Sequence, residues 1–108
     1  MKKGILKKLQ EYELTDFERS VLMATAEIPK GRVSTYKQIA VRVKRPMAYR
    51  AVGTALKNNP LPILIPCHRV IRSDGYVGDY AYGSRRKILL LKKEKVTLDA
   101  RHKIYLGR

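Results

Sequence analysis

Cys67, the one cysteine of the chain, is the residue with the clearest capacity for covalent chemistry. His68 and Arg69 follow it directly, and an apolar run at 63–65 precedes it between two prolines. Because a proline fixes its own φ and pushes the preceding residue toward extended conformations, the pattern predicts a buried extended segment that ends at the thiol. A nearby cation or base would favour the reactive thiolate by lowering the thiol pKa. A histidine adjacent in sequence reaches the thiol only through a turn or a bridging water.

Residue type alone leaves two interpretations of Cys67 open. A buried cysteine often acts only as a small hydrophobic side chain, whereas a cysteine beside a histidine and an arginine also has the setting of a nucleophile. A cysteine hydrolase is disfavoured, because its histidine normally comes from a distant part of the sequence. One cysteine and two separated histidines make no convincing zinc site, and no phosphate-binding glycine loop is present. Neither a metal nor a cofactor is therefore predicted.

The charge of the chain points to a polyanionic partner. There are 24 Lys and Arg against 9 Asp and Glu, a formal net charge of +15 over 108 residues. Neutralising phosphates releases their counterions and so favours binding, although a charged surface can also serve solubility alone. The length predicts one domain spanning 1–108, with a basic lead at 1–13 and a basic tail at 96–108 to which no function is assigned. A lone cysteine and the absence of a long apolar run predict a reducing compartment and no membrane or export segment.

Helix start signals organise the rest of the chain. Thr15 with Glu18 and Thr35 with Gln38 each have the pattern of a capping box, in which two side chains satisfy the first amides of a helix. Pro46 suits the first turn of a further helix. The predicted helices span 15–28, 35–43, 46–57 and 85–95, the last of them capped by Ser84. The middle pair has the size of a helix-turn-helix, which by itself is weak evidence for DNA binding.

Four blocks of the sequence resemble the O6-alkylguanine-DNA alkyltransferases in content, order and spacing. They are 31–40 (GRVSTYKQIA), 50–56 (RAVGTAL), 59–70 (NPLPILIPCHRV) and 78–83 (GDYAYG). The likeness is to the catalytic C-terminal domain of that family, whose members usually carry a further N-terminal domain. It implies a mainly α fold with a short β element, organised as a single winged helix-turn-helix-like domain. It also implies DNA repair by direct, irreversible transfer of an alkyl group from guanine O6 to Cys67, with nucleotide flipping.

By the same resemblance, four residues carry the catalysis. Cys67 is the nucleophile, His68 takes its proton through a water, and Glu94 orients His68. The hydroxyl of Tyr36 protonates the purine as it leaves. Each molecule is expected to react once, because the thioether product has no acyl carbon for water to attack. No cofactor is expected. Residue type alone would suit other roles as well: Glu94 could form an exposed ion pair, and Tyr36 could be an aromatic side chain of the core.

The resemblance also assigns the contacts with DNA. Arg50 corresponds to an arginine that enters the base stack in place of the extruded nucleotide, a wedge of the kind that minor-groove proteins use. Ala51 and Gly53 are small enough to let the helix backbone come close, and Thr35 and Tyr36 complete the predicted contacts. Without the resemblance, the small residues would equally suit helix packing, and Arg50 would be a surface cation. The expected partner is double-stranded DNA containing O6-alkylguanine, bound by a monomer in a prokaryotic cytoplasm or a eukaryotic nucleus.

A glycine- and tyrosine-rich loop is the predicted guanine pocket. Val70, Tyr80 and Ala81 resemble positions that bind the base, since a flipped purine needs stacking surfaces and hydrogen bonds to its edge. Tyr82 stands where the family usually has glycine, and a ring at the pocket mouth predicts a preference for methyl over benzyl groups. Asn59 resembles a structural hinge whose side-chain hydrogen bonds join the recognition helix to the active-site turn. Its replacement should therefore cost stability and activity together.

Two interpretations of the protein as a non-catalytic DNA-binding protein remain. The family has relatives that bind alkylated DNA as damage sensors, but they carry another residue, often tryptophan, where Cys67 stands. A winged-helix regulator is the other, and the block Pro-Cys-His-Arg at 66–69 argues against it because a regulator needs no buried nucleophile.

Overall fold

The computed structural model describes residues 2–104, which form helices around one small parallel sheet. The elements in chain order are α1 (Lys2–Leu9), α2 (Asp16–Ala26), β1 (Ser34–Thr35), α3 (Tyr36–Arg42), α4 (Tyr49–Lys57), a 3₁₀ turn (Cys67–Arg69), β2 (Val70–Ile71) and α5 (Ser84–Lys93). The prediction of a mainly helical domain with a short β element is confirmed. Within residues 2–104, none of the helices has the length and apolar character needed to cross a membrane.

Both predicted capping boxes are present. Thr15 and Glu18 exchange hydrogen bonds of 2.8 and 3.0 Å at the start of α2. Thr35 and Gln38 do the same at 2.9 and 3.0 Å at the start of α3. These local signals place the beginnings of both helices correctly. α2 ends at Ala26, two residues before the predicted end.

The predicted start of α4 was wrong, because the helix begins at Tyr49 and Pro46 lies in the turn before it. That turn follows a Schellman-type end of α3, in which Lys44 has φ 64° and the amide of Arg45 donates to the carbonyl of Ala40 at 2.9 Å. α4 packs against both α2 and α3. Its buried face is Val52, Ala55 and Leu56.

The segment before Cys67 is a tight turn, where a buried extended segment was predicted. Ile63 has φ 73°, and the amide of Leu64 donates to the carbonyl of Pro62 at 2.9 Å, so the chain reverses at Ile63. Ile63 and Leu64 are exposed, and only Ile65 of the apolar run is buried. Two prolines close together favour such a turn as readily as a strand. Cys67 then opens the 3₁₀ turn.

The parallel sheet brings two distant parts of the chain together. Ser34 pairs with Val70 and Thr35 with Ile71. Because β1 leads directly into α3 and β2 directly follows the 3₁₀ turn, this pairing sets the start of α3 beside the cysteine.

The two ends of the described chain contribute to the core. Ile5 and Leu9 of α1 are buried in the main cluster of apolar side chains. Ile104, with Val96 and Leu98 partly buried, packs in a second cluster around Ile71 and Leu91. The first part of the predicted basic tail, 96–104, therefore belongs to the folded core. The rest of that tail, 105–108, and Met1 lie outside the described residues.

α5 also differs from the prediction at its start. Gly83, with φ 95°, is the residue that caps it, and Ser84 is the first helical residue and makes no side-chain cap. The helix ends with Glu94 at the C-cap, followed by Lys95 at φ 67° and a hydrogen bond of 3.0 Å from the amide of Val96 to the carbonyl of Leu91. This Schellman-type end fixes the backbone that carries Glu94.

Candidate active site

Cys67 lines an open cavity of about 400 Å³ on one side of the fold. The residue is 6% exposed, so the thiol is nearly buried in the wall of this cavity. α4 contributes Tyr49, Arg50, Gly53, Thr54, Leu56 and Lys57 to the lining. The loop before α5 contributes Gly78, Asp79, Tyr80 and Ala81, and Tyr36 and Arg72 complete it. A cavity of this size with a few polar groups is typical of sites for small ligands or bases.

The setting of the thiol differs from the prediction. Burial raises the pKa of Cys67, because a thiolate is poorly solvated there. A hydrogen bond from the Asn59 side chain and the charge of Lys87 act in the opposite direction and are weaker. Arg69 does not act on the thiol, since its guanidinium is engaged with Glu94. The resting cysteine is therefore a protonated thiol, which needs a base before it can attack.

His68 is a suitable base. It is almost completely buried, and burial lowers its pKa, so its ring is neutral at pH 7. Its Nε2 lies 3.0 Å from Oε2 of Glu94. Glu94 is ionised, with its pKa lowered to about 2, chiefly by hydrogen bonds from Arg69. A carboxylate only accepts, so Nε2 carries the proton and Nδ1 has the free lone pair.

Nδ1 of His68 is buried and has no hydrogen-bond partner within the described residues. Buried polar atoms of native proteins nearly always have a partner, whether from protein, water or ligand. This atom therefore marks a position for a water or a reacting group.

Tyr36, at the start of α3, lines the same cavity. Its hydroxyl donates to the carbonyl of Asp79 at 3.4 Å and accepts from Nζ of Lys87 at 3.4 Å. Burial raises its pKa to about 12, with Asp79 and Cys67 adding to the effect, so the phenol keeps its proton. Gly78, with φ 76°, allows the approach of this ring, since a Cβ there would lie 3.3 Å from the Tyr36 hydroxyl.

Lys87 is a component of the site that sequence reasoning missed. The sequence assigned it no role, yet it is fully buried. Its Nζ donates to the carbonyl of Val70 at 2.6 Å and to that of Asp79 at 3.0 Å. Burial lowers its pKa to about 8. The available signal was its position four residues before Leu91, on the apolar face of α5.

Asn59 joins the two ends of the turn that precedes the cysteine. Its Nδ2 donates to the carbonyl of Ile65 at 2.9 Å, and its Oδ1 accepts from the amide of Leu61 at 2.9 Å. Together with its hydrogen bond to the thiol, this makes Asn59 a fixed link between the end of α4 and Cys67. Such a link is what the predicted hinge requires.

The outer face of α4 carries the predicted DNA-binding residues Arg50, Ala51 and Gly53. Arg50 and Ala51 are exposed and Gly53 is half-buried. Arg50 is in none of the ion pairs found within residues 2–104. A Cβ on Gly53 would lie 3.8 Å from the Tyr36 ring, an ordinary contact, so packing inside the chain does not demand glycine there. Thr35 is different. It is buried and its hydroxyl caps α3, so its side chain does not belong to this outer face.

The predicted base-binding residues are only partly together. Tyr80 and Ala81 line the cavity. Val70 does not, because it is fully buried in β2 and its carbonyl is occupied by Lys87. Tyr82 is 53% exposed and lies outside the lining, with its ring edge-on to that of Tyr80 at 5.5 Å. Lys57 and Arg72 are cavity cations that the sequence did not single out. Among residues 2–104, no cluster of His, Cys, Asp and Glu is arranged to hold a metal ion.

The family of this chain follows from comparison with known proteins. The family described as 6-O-methylguanine DNA methyltransferase, DNA binding domain, matches residues 16–96, most of the chain. The chain belongs to this family. The methylated-DNA–protein-cysteine methyltransferase of Methanosarcina barkeri is 50% identical in an alignment of 97 residues that covers 84% of this chain and 61% of that relative. The chain spans about half the length of the curated relatives it matches.

Two solved structures have a similar fold. Mycobacterium tuberculosis OGT in complex with DNA superposes with a TM-score of 0.75 at 43% identity, over 77% of this chain and 51% of that one. Schizosaccharomyces pombe Atl1, in complex with damaged DNA containing O6-carboxymethylguanine, also has a TM-score of 0.75, at 35% identity, over 88% of this chain and 94% of that one.

Proposed function

We propose that this protein repairs double-stranded DNA by transferring an alkyl group from O6 of guanine to the sulfur of Cys67. The observation that carries the proposal is the pairing of Cys67 with His68. Cys67 is nearly buried and lines the cavity. His68 follows it directly, with Nε2 bonded to the carboxylate of Glu94 and Nδ1 without a partner among the described residues. Membership of the family and the names of its relatives support the same activity.

Activation of the thiol comes first. Burial keeps Cys67 protonated, so its proton has to leave before attack. Nδ1 of His68 accepts this proton through one bridging water, which also gives that buried atom a partner. Glu94 holds the ring in the required tautomer and stabilises the imidazolium that forms.

The transfer is a displacement at the alkyl carbon. The sulfur lone pair forms the S–C bond while the C–O6 bond breaks, and the electron pair of that bond passes to the guanine ring. The Tyr36 hydroxyl, which remains protonated at pH 7, donates toward the departing purine. The product is a thioether, which nothing in the site can hydrolyse, so each molecule reacts once.

Access to the base requires it to leave the duplex. α4 offers the exposed Arg50 as the group that fills the vacated stack, and the exposed Ala51 and half-buried Gly53 as the small positions that admit the backbone of α4 to the minor groove. Tyr80 and Ala81 provide a ring and a backbone edge for the flipped guanine. The net charge of +15 strengthens the non-specific part of binding to DNA.

The proposal is tested by intact-protein mass spectrometry after mixing with an equimolar duplex that carries one O6-methylguanine. The expected result is a stoichiometric gain of one methylene mass, with no turnover beyond one equivalent. Cys67→Ser is the control and should show no gain. An undamaged duplex of the same sequence controls for other modification.

A damage sensor without catalysis is the second candidate. It is favoured by one observation, the extent of the match to Atl1, of which this chain covers 94%. Tight binding of the O6-methylguanine duplex without any mass change would establish the sensor and contradict alkyl transfer.

A further inference from the structure

Arg69 joins three separate parts of the chain around the carboxylate of Glu94. Its Nε donates to Oε1 of Glu94 at 2.9 Å and its Nη2 to Oε2 at 2.8 Å, a bidentate pair. Its Nη1 donates to the carbonyl of Ile28, beyond the end of α2, at 2.7 Å. The side chain is 15% exposed, so these hydrogen bonds are largely shielded from water.

Glu94 is in a position that disfavours a carboxylate. It caps the C-terminal end of α5, where the helix dipole is negative. It is nevertheless ionised, with its pKa lowered to about 2, and the hydrogen bonds from Arg69 are the largest cause. Arg69 thus compensates for the placement of the acid at the helix end.

The same oxygen of Glu94 accepts from both Arg69 and His68. A buried carboxylate paired with a histidine alone would favour the imidazolium form, whose Nδ1 carries a proton and cannot act as a base. The charged groups that act on His68 are Glu94, Arg69 and Lys87. The ring of Tyr80 lies edge-on to His68 with 6.4 Å between ring centroids, and burial raises the pKa of its hydroxyl, so it carries no charge where His68 titrates. Glu94 favours protonation of the ring, the two cations oppose it, and burial opposes it most.

We propose that Arg69 is a positioning residue that keeps His68 neutral, with Nε2–H directed at Glu94 and Nδ1 free to accept the thiol proton. Arg69 does so by neutralising Glu94 while fixing the orientation of its carboxylate. The inference rests on the proposed alkyl transfer and adds a residue to its base.

The test is the pH dependence of single-turnover alkyl transfer in Arg69→Gln, with Arg69→Lys as the matched variant that retains the charge. In the parent protein the rate should rise with pH as His68 loses its proton. In Arg69→Gln this rise should move to higher pH, with a loss of about tenfold or more on the acidic side and near-parental rates at alkaline pH. Arg69→Lys should keep the rise close to the parental pH. Circular dichroism verifies that each variant is folded.

A second arm tests the electrostatic cause. Glu94→Gln removes the charge that favours the imidazolium, so it should move the rise to lower pH, and the double variant Arg69→Gln/Glu94→Gln should return it toward the parental position. A uniform loss of rate at every pH in Arg69→Gln, with the rise unmoved, would overturn the inference and leave Arg69 with a purely structural role. Equal behaviour of the Gln and Lys variants would overturn it as well.

Titration of the histidine rings by NMR keeps this test separate from the activity. The chain has two histidines, and His102→Gln assigns the remaining signal to His68. Without any substrate, His68 should titrate at higher pH in Arg69→Gln than in the parent, and an unchanged midpoint would contradict the inference. Failure of the parent protein to accept a methyl group would instead contradict the proposed function alone.

Discussion

Replacing Lys87 by methionine should change how the stability of this protein depends on pH between 7 and 10. Lys87 is fully buried, and burial lowers its pKa from 10.5 to about 8. In the unfolded chain the amine keeps its ordinary pKa, so folding at pH 7 has to desolvate an ammonium group. The difference between the two pKa values corresponds to roughly 3 kcal/mol of unfavourable free energy below pH 8, which disappears as the pH rises toward 10.5.

Methionine removes this penalty at pH 7, but it leaves the carbonyls of Val70 and Asp79 without their donor, at about 1–3 kcal/mol each. The two effects nearly cancel at pH 7, whereas at pH 10 chiefly the lost hydrogen bonds remain. The variant should therefore lose about 2.5 kcal/mol relative to the parent protein between pH 7 and pH 10. Urea unfolding at several pH values, followed by circular dichroism, measures this change.

Lys92→Met is the matched control, because Lys92 lies exposed on the same helix and its removal deletes the same charge without uncovering a buried acceptor. Tyr36 titrates in parent and variant alike, so the comparison largely removes its contribution. The Cys67 pKa depends on the charge of Lys87, so the measurement is made in a Cys67→Ser background for parent and variant. A difference in stability between Lys87→Met and the parent that stays constant from pH 7 to pH 10 would refute the reasoning. It would mean that the ammonium group is hydrated in solution.

Three further predictions concern the cavity and the hinge. Gly53→Ala should raise the free energy of unfolding by about 1 kcal/mol, since alanine favours the helix and its Cβ meets the Tyr36 ring at an ordinary 3.8 Å; urea unfolding that shows no gain would contradict this. Asn59→Ala should lower stability by about 2 kcal/mol and slow methyl transfer, because it removes the hydrogen bonds with Ile65 and Leu61; Asn59→Asp keeps the acceptor for Leu61 but sets a carboxylate oxygen against the Ile65 carbonyl, so it should lose at least as much, and parental stability of either variant would contradict the hinge. Tyr82 lies outside the cavity lining, but its ring packs edge-on to that of Tyr80, which lines it, so Tyr82→Gly should speed transfer from O6-benzylguanine more than from O6-methylguanine in single-turnover assays; equal acceleration of the two would contradict a role for this ring in excluding large groups.

The starts of α2 and α3 were predictable because a capping box depends on side chains three residues apart. The start of α4 and the turn at 61–65 were not. Pro46 is compatible with a first helical turn and with the loop before it, and the choice between them depends on how α4 packs against α2 and α3. Ile63 adopts φ 73° although β-branched residues rarely do, so residue type gave no warning of this turn.

Within the candidate site, the sequence indicated most of the groups that the structure brings together and misjudged their surroundings. Cys67, His68, Tyr36 and Glu94 come together as the resemblance implies. The expected lowering of the thiol pKa by its neighbours is replaced by a rise from burial. Adjacency in sequence suggested that Arg69 acts on the thiol, whereas its guanidinium turns to Glu94, 25 residues away.

The sequence by itself determined the family, the helical character and the capped helix starts, and it singled out Cys67 as the candidate nucleophile, because each depends on residue types at short and regular spacing. Only the tertiary structure decided which polar groups are buried and which partners they have. The pairing of β1 with β2, and the packing of α5 against the 3₁₀ turn, place Lys87 and the pair of Arg69 and Glu94 around the site. The protonation of Cys67 and His68 follows from that burial and from charges distant in sequence, since desolvation and electrostatic interaction depend on separation in space.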